Sequence, residues 1–226
     1  WGIRRFGFHG LSVAWSVERA AEILSRPVAE LNIVVAHLGS GCSVTAVPGG
    51  RSAWTSMGFT PLEGLMMGTR SGSIDPGILF HLLRTRKASR DDIEEALEHG
   101  SGLAGVSGIG SDIRELEPAA ATGNARARLA LDMFADRAAA GIAGAMTSVD
   151  RVDALVFTAG IGEHAANVRA AIVRRLGAVG VPAIPATETG EDRVLVAGPP
   201  AVLRIEARED LVVARDVETL VAGENG

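Results

Sequence analysis

The sequence predicts an α/β fold, a mixed β-sheet flanked by helices. Three observations carry this. Asn32 to Thr45 reads as strand, glycine turn, strand. Ala154-Leu155-Val156-Phe157 is an apolar run of strand length that leads through Thr158-Ala159-Gly160-Ile161-Gly162-Glu163 into a helix. Between them lie segments with helical spacing and recognisable caps.

In chain order, Ser12 to Leu24 places Val13, Val17, Ala20, Ala21 and Leu24 on one helical face, and Pro27 ends it. Ile33 to Val35 forms a buried strand, His37 to Gly41 a glycine-bearing turn and Cys42 to Val47 a second strand. Gly49-Gly50 turns the chain into a third, Arg51 to Met57. Thr60-Pro61-Leu62-Glu63 has the N-cap, N1 and N3 residues of a short helix, stopped by Gly68. Thr69 to Ile74 is a loop. Asp75-Pro76 opens a helix through Leu83, and Ser89 to Asp92 caps another that ends at Gly100. Leu103 to Gly110 is glycine-rich, and Ser111 to Arg114 begins a short helical turn. Asn124 to Ser148 is the longest helix, with Leu129, Met133, Ala140 and Ala143 among its apolar positions. After the 154–157 strand and the Thr158–Glu163 glycine segment a helix runs through Leu176, with Gly177 just past its end. Val194–Val196 and Val202–Ile205 are short strands, Thr187–Asp192 a surface loop, and Glu209-Asp210 opens the last helix, through Leu220.

The totals narrow the function. The 226 residues are 47% hydrophobic and 22% charged, enough for one sizeable core or two small ones. No apolar run has transmembrane length and no signal-peptide pattern opens the chain, so a cytoplasmic protein with no membrane partner is expected. The net charge of −5 argues against nucleic acid. Cys42 is the lone cysteine, which excludes an internal disulfide and a cysteine-rich metal site. Lys87 is the lone lysine, and the P-loop pattern is absent. Trp1 begins mid-stride in an apolar, glycine-punctuated segment, so a preceding domain is expected.

The polar groups in glycine-rich settings are His9, His37, Arg70, Asp112, Arg114, Glu163 and Glu209. A Gly-Ser-Gly turn leaves backbone N–H groups open to phosphate oxygens, although a plain hairpin fits the same residues. Strand, glycine turn and helix start at 154–164 is an arrangement that meets nucleotides. Glycine turns and loop arginines together are the tools of phosphoryl transfer, which is positioning plus positive charge on a spreading anion. Glu163 reads as a helix-dipole residue, Leu65-Met66-Met67 as core packing and Cys42 as a small buried side chain.

Arg4-Arg5-Phe6-Gly7-Phe8-His9-Gly10 resembles the R-R-Y-G-F-H-G signature of the acetate kinase family, and His37-Leu38-Gly39-Ser40-Gly41 its H-L-G-N-G segment. Ser56 to Pro76 is close to a continuous match. Ser111-Asp112-Ile113-Arg114, Phe157 to His164 and Glu209-Asp210-Leu211 resemble three further family segments, in the family's order.

The resemblance implies a ribonuclease H-like domain of the actin-like ATPase superfamily (acetate and sugar kinases, Hsc70, actin). It implies reversible Mg²⁺- or Mn²⁺-dependent transfer between ATP and acetate, giving acetyl phosphate and ADP. By the same resemblance, His9 and Arg70 contact the phosphoryl group, His37, Leu38, Gly39, Ser40 and Gly41 lie along the phosphates, and Asp112, Ile113 and Arg114 with Gly160, Ile161, Gly162, Glu163 and His164 frame the adenosine. Glu209 holds the metal, with Asp210 and Glu206 as neighbouring competitors. A homodimer is implied too. The chain corresponds to the C-terminal nucleotide-binding domain over 1–226, with 1–15 near the junction to an N-terminal domain that supplies another arginine, an aspartate and an asparagine to the cleft. Without that half, nucleotide affinity with little transfer is expected. A non-catalytic ATP/ADP-binding and dimerisation module, a propionate-type kinase and a sugar-type kinase are the alternatives. The departures from the family pattern are Leu11 and Val13 for Thr and His, Ser40 for Asn, Ser73 for Asp and His164 for Asn.

Overall fold

The computed structural model describes residues 1–187 and 190–223. Its centre is a mixed sheet of six strands: β1 (Asn32–Leu38), β2 (Cys42–Pro48), β3 (Trp54–Thr55), β4 (Ala154–Thr158), β5 (Arg193–Val196) and β6 (Ala201–Arg204), in the order β3-β2-β1-β4-β6-β5. β1, β4 and β6 run parallel; β2, β3 and β5 pair antiparallel at the two sides. The early strand–turn–strand is thus a hairpin, and the β1–β4 crossover carries the intervening helices.

Strand alternation divides the core in two. Ile33, Val35, Ala154, Val156 and Leu203 face α1 (Gly10–Leu24), where Val13, Val17, Ala20 and Ala21 complete one cluster. Val34, Ala36, Leu38, Leu155, Phe157 and Val202 face the other way, onto a larger cluster. That cluster includes α4 (Gly102–Ser107), α5 (Ile113–Ala121), α6 (Ala125–Met146) and α8 (Ala166–Arg175). Buried Leu65, Met66 and Met67 belong to it, as does Cys42, whose thiol burial pushes up to about 12.

Several local signals hold. Asp75 caps α2 (Pro76–Arg84), Ser89 and Asp92 form a capping box on α3 (Arg90–Glu98), and Asn124 caps α6. Others yield to tertiary bonds. Thr60 to Glu63 form a turn, with the Leu62 N–H on the Thr60 hydroxyl at 3.3 Å; Glu63 is drawn to Arg5 at 2.7 Å, and Gly64 takes φ +110°, which no helix accommodates. Leu103–Gly110 contains a helix, α4. Asp112 caps α5, which outlasts the predicted turn. The glycine turn expected after β4 is itself a short helix, α7 (Ala159–His164), and the helix expected beyond it is α8, set off where Ala165 leaves helical geometry at ψ 78°; a 3-10 turn at Leu176–Val179 follows. On α6, Leu129, Met133 and Ala140 are exposed. Its buried stripe is Ala127, Ala130, Phe134, Ala138, Ile142 and Ala145, whose small side chains let the helix approach the sheet closely. The third strand shortens to Trp54–Thr55, and residues 188–189 of the predicted 187–192 loop lie outside the described residues. α9 (Glu209–Gly223) packs on α1.

Asp153 fastens the entries of β1 and β4 to each other. Its carboxylate accepts the Asn32 N–H at 2.9 Å and pairs with Arg26 at 2.9 Å and Arg151 at 3.0 Å. Burial opposes its charge, but these donors outweigh it and hold the carboxyl below the usual carboxylate range. Asp153→Ala is expected to cost about 1–3 kcal/mol in a urea titration, because it strands a backbone donor as well as breaking the ion pairs.

Candidate functional site

The carboxyl ends of the parallel strands β1 and β4 meet the β1–β2 turn, the position where open α/β sheets bind ligands. Strand parity sends Leu38 into the α6-side core and His37 toward α1. There the Ser12 hydroxyl hydrogen-bonds His37 Nδ1 at 2.9 Å. His9, in the left-handed region at φ 61° just before α1, lays its ring flat on His37, with centroids 3.8 Å apart and planes 13° from parallel. His9 Nδ1 hydrogen-bonds the Ser43 hydroxyl at 2.9 Å.

Arg70 completes this group. A Cβ added at Gly41 would sit 3.5 Å from both Arg70 Nη1 and His9 Nε2, so the glycine is what lets both side chains close over the turn. Among the described residues the Arg70 guanidinium has no hydrogen bond or ion pair. The Ser40 and Gly41 N–H groups likewise have no acceptor within them. An unpaired guanidinium and two free amides around one turn form a site for an anion.

Burial, and then Arg70, lowers the His9 pKa; burial, and then His9, lowers that of His37 to about 3. Both rings are therefore neutral at pH 7. The unfolded chain takes up these protons near 6.5, whereas the folded chain resists them. The stability they contribute is whole above pH 6.5 and drains as pH falls below it, for His37 down to about pH 3, at up to about 1.4 kcal/mol per pH unit. Urea midpoints at pH 7 and 4.5 should show the fall, and His37→Gln should flatten it.

Beside the turn opens a cleft of about 530 Å³. Gly39 and Ser40 form one wall, Asp112, Ile113 and Arg114 a second, and Gly160, Ile161 and His164 a third. Asp112 and Arg114 pair at 2.6 Å on the exposed rim, and Asp112 also caps α5. Gly162 and Glu163 point inward: a Cβ on Gly162 would meet the Phe157 backbone at 3.4 Å, and Glu163 is buried. The helix dipole does not account for Glu163, because it sits near the end of α7 and engages Arg204 and the Ala207 N–H. Gly68, Ser111 and Glu117 also line the cleft; the first two lie in matched segments but were not named as site residues, and Glu117 was not named at all. Glu117 lies four residues beyond Ile113 on α5, a spacing that could have found it. Gly68 gives its N–H to the Ser40 carbonyl at 3.3 Å, and a Cβ added to it would lie 3.3 Å from Cβ of Ser111, so the glycine lets the two walls close together.

Of the departures, Val13 packs in the α1 core and Leu11 is exposed. The Ser73 hydroxyl accepts the Gly64 N–H at 3.1 Å.

Glu209 is exposed at the start of α9 and its side chain has no hydrogen bond or ion pair among the described residues, whereas Asp210 is held by Arg208 at 2.9 Å. No group of three His, Cys, Asp or Glu side chains able to hold a metal occurs among the described residues. One free carboxylate fits a hard cation such as Mg²⁺, which takes one or two protein carboxylates and shares the rest of its shell with water and phosphate.

The Acetokinase family model matches residues 1–215. Acetate kinase of Gloeobacter violaceus is 51% identical over 95% of this chain and 54% of its own length; that of Deinococcus radiodurans is 48% identical over 98% and 57%. Among solved structures, Porphyromonas gingivalis acetate kinase superposes with a TM-score of 0.92 at 35% identity, over 97% of this chain and 56% of that one. A propionate kinase from Francisella tularensis gives 0.86 at 41% identity, over 94% and 55%. The chain thus spans a little over half the length of these relatives. The mixed sheet with flanking helices is the actin-like ATPase fold, and the chain belongs to the acetokinase family.

Proposed function

We propose that this chain is the C-terminal, nucleotide-binding part of a kinase that moves a phosphoryl group reversibly between ATP and a short carboxylate, acetate first. Residues 1–15 lie near its junction with an N-terminal domain. The observation that carries the reading is the unpaired Arg70 guanidinium beside a neutral His9, closed over the Gly39–Gly41 turn at the mouth of the cleft.

In this reading the adenosine lies between the Asp112–Arg114 wall and that of Gly160, Ile161 and His164, and its phosphates follow Ser40 and Gly41 toward Arg70. A carboxylate oxygen of acetate attacks the terminal phosphorus as the bond to the ADP oxygen breaks. Acetate is already ionised at neutral pH, so no base is required. The barrier is the approach of an anion to a polyanion, and Arg70 and a His9 N–H donor stabilise charge on the transferred oxygens. A divalent ion, Mg²⁺ or Mn²⁺, held in part by Glu209, supplies further charge neutralisation when bound. Homodimerisation and a cytoplasmic location belong to the same reading.

Joining the chain to the N-terminal domain of a relative and trapping acetyl phosphate with hydroxylamine tests it. ADP binding by calorimetry with product formation in the joined protein is the expected result. ADP binding with no product would leave a binding module, and no ADP binding would overturn the reading. The likeness to a propionate kinase makes acyl preference a second question, answered by kcat/KM for acetate against propionate.

A further inference from the structure

Glu163 sits in the segment matched to the nucleotide, yet its side chain turns away from the cleft and is only 8% exposed. Its Oε1 accepts the Ala207 N–H at 2.9 Å. Its Oε2 lies 3.6 Å from Nη2 of Arg204, which is 2% exposed at the end of β6. The Glu163 carbonyl accepts from Arg169 Nη1 at 2.8 Å, so α7 is braced from beneath. The next residue, His164, lines the cleft.

On the other side, residues 205–208 connect β6 to α9 and are strapped down at three points. The Ile205 N–H goes to the Phe157 carbonyl at 3.0 Å, the Glu206 N–H to Asp192 Oδ1 at 2.7 Å and the Ala207 N–H to Glu163. Trp15 Nε1 adds a bond to the Glu206 carbonyl at 2.8 Å. Glu209 follows two residues after Ala207, within about 7 Å of chain. Among these bonds, the one from Ala207 alone ties the connection to the element that walls the cleft.

We propose that Glu163 is a positioning residue. Through the Ala207 N–H it fixes where the Glu209 carboxylate stands relative to the nucleotide cleft, with Arg204 holding the Glu163 side chain in place. This rests on the reading of Glu209 as a metal ligand.

The test is ADP affinity of the chain by calorimetry, with and without Mg²⁺, which needs no turnover. Glu209→Gln should abolish the Mg²⁺-dependent gain. Glu163→Ala should lower that gain about tenfold, the worth of one charge-assisted hydrogen bond spent on placement, and leave Mg²⁺-free affinity within about threefold. Glu163→Gln keeps an acceptor for Ala207 and should recover most of the gain. Should Glu163→Ala fail to fold, Ala207→Pro removes the same bond from the half-buried end and should show the same loss. An undiminished gain in Glu163→Ala or Ala207→Pro, with Glu209→Gln still defective, overturns this inference alone. An undiminished gain in Glu209→Gln overturns the metal assignment and the inference with it.

Discussion

Arg70→Ala is expected to lower kcat about a thousandfold in a catalytically complete protein containing this chain, with nucleotide KM moving less than about tenfold. The reasoning begins with what the side chain does not do. Among the described residues it closes no ion pair and makes no hydrogen bond, so the folded chain does not depend on its charge. Its guanidinium is set against Gly41 and His9, and its field helps keep the His9 ring neutral. A structural arginine would show its loss in the thermal midpoint, whereas this one should show it in the rate of acetyl phosphate formation. An unchanged kcat would remove Arg70 from the chemistry.

Gly102→Ala is expected to destabilise by more than about 3 kcal/mol, and to weaken ADP binding in whatever fraction remains folded. Gly102 has φ +63°, and an added Cβ would lie 2.8 Å from the Gly68 carbonyl oxygen, 2.9 Å from that of Arg70, and in collision with that of Met67. These are backbone atoms, so no rotamer change relieves the contact. The same carbonyls anchor the loop: Leu103 N–H binds Met67 O and Ala104 N–H binds Gly68 O, each at 2.9 Å. The first turn of α4 therefore clasps the loop that carries Arg70, with Gly102 as the point of closest approach. A guanidinium titration reads the stability change and calorimetry the affinity. A wild-type midpoint for Gly102→Ala would show that the loop has room to spare.

The parts of the fold that sequence revealed are those whose determinants are local. Ser89, Asp75-Pro76 and Asn124 announce helix starts because each cap bonds amides two or three residues on. The β1–β2 hairpin was legible because Gly39 to Gly41 interrupts two apolar strands. The Thr60 signal was equally local and was overridden by Arg5, 58 residues away in sequence from Glu63. The buried face of α6 could not be read from size alone, because the helix gives most of its alanines to the core and Leu129 and Met133 to the surface. At the site, ordered motifs gathered most of the cleft-lining residues. They did not distinguish residues that face the cleft from those beneath it. Leu38, Gly162 and Glu163 share segments with Ser40, Gly160 and His164 but point inward. Nor did any local rule foresee that His9 and His37, on separate elements, would stack.

The alternation of β1 bears on how the gene can change. His37, and not Leu38, shares the α1 face with Ile33 and Val35 because it stands an even number of positions along the strand from both. Exchanges among valine, isoleucine and alanine along the strand keep that count. Deleting one codon between Ile33 and Ala36 would not. It would turn the imidazole toward the α6 core and put leucine against the His9 ring, so one in-frame triplet lost there would do more damage than several conservative substitutions.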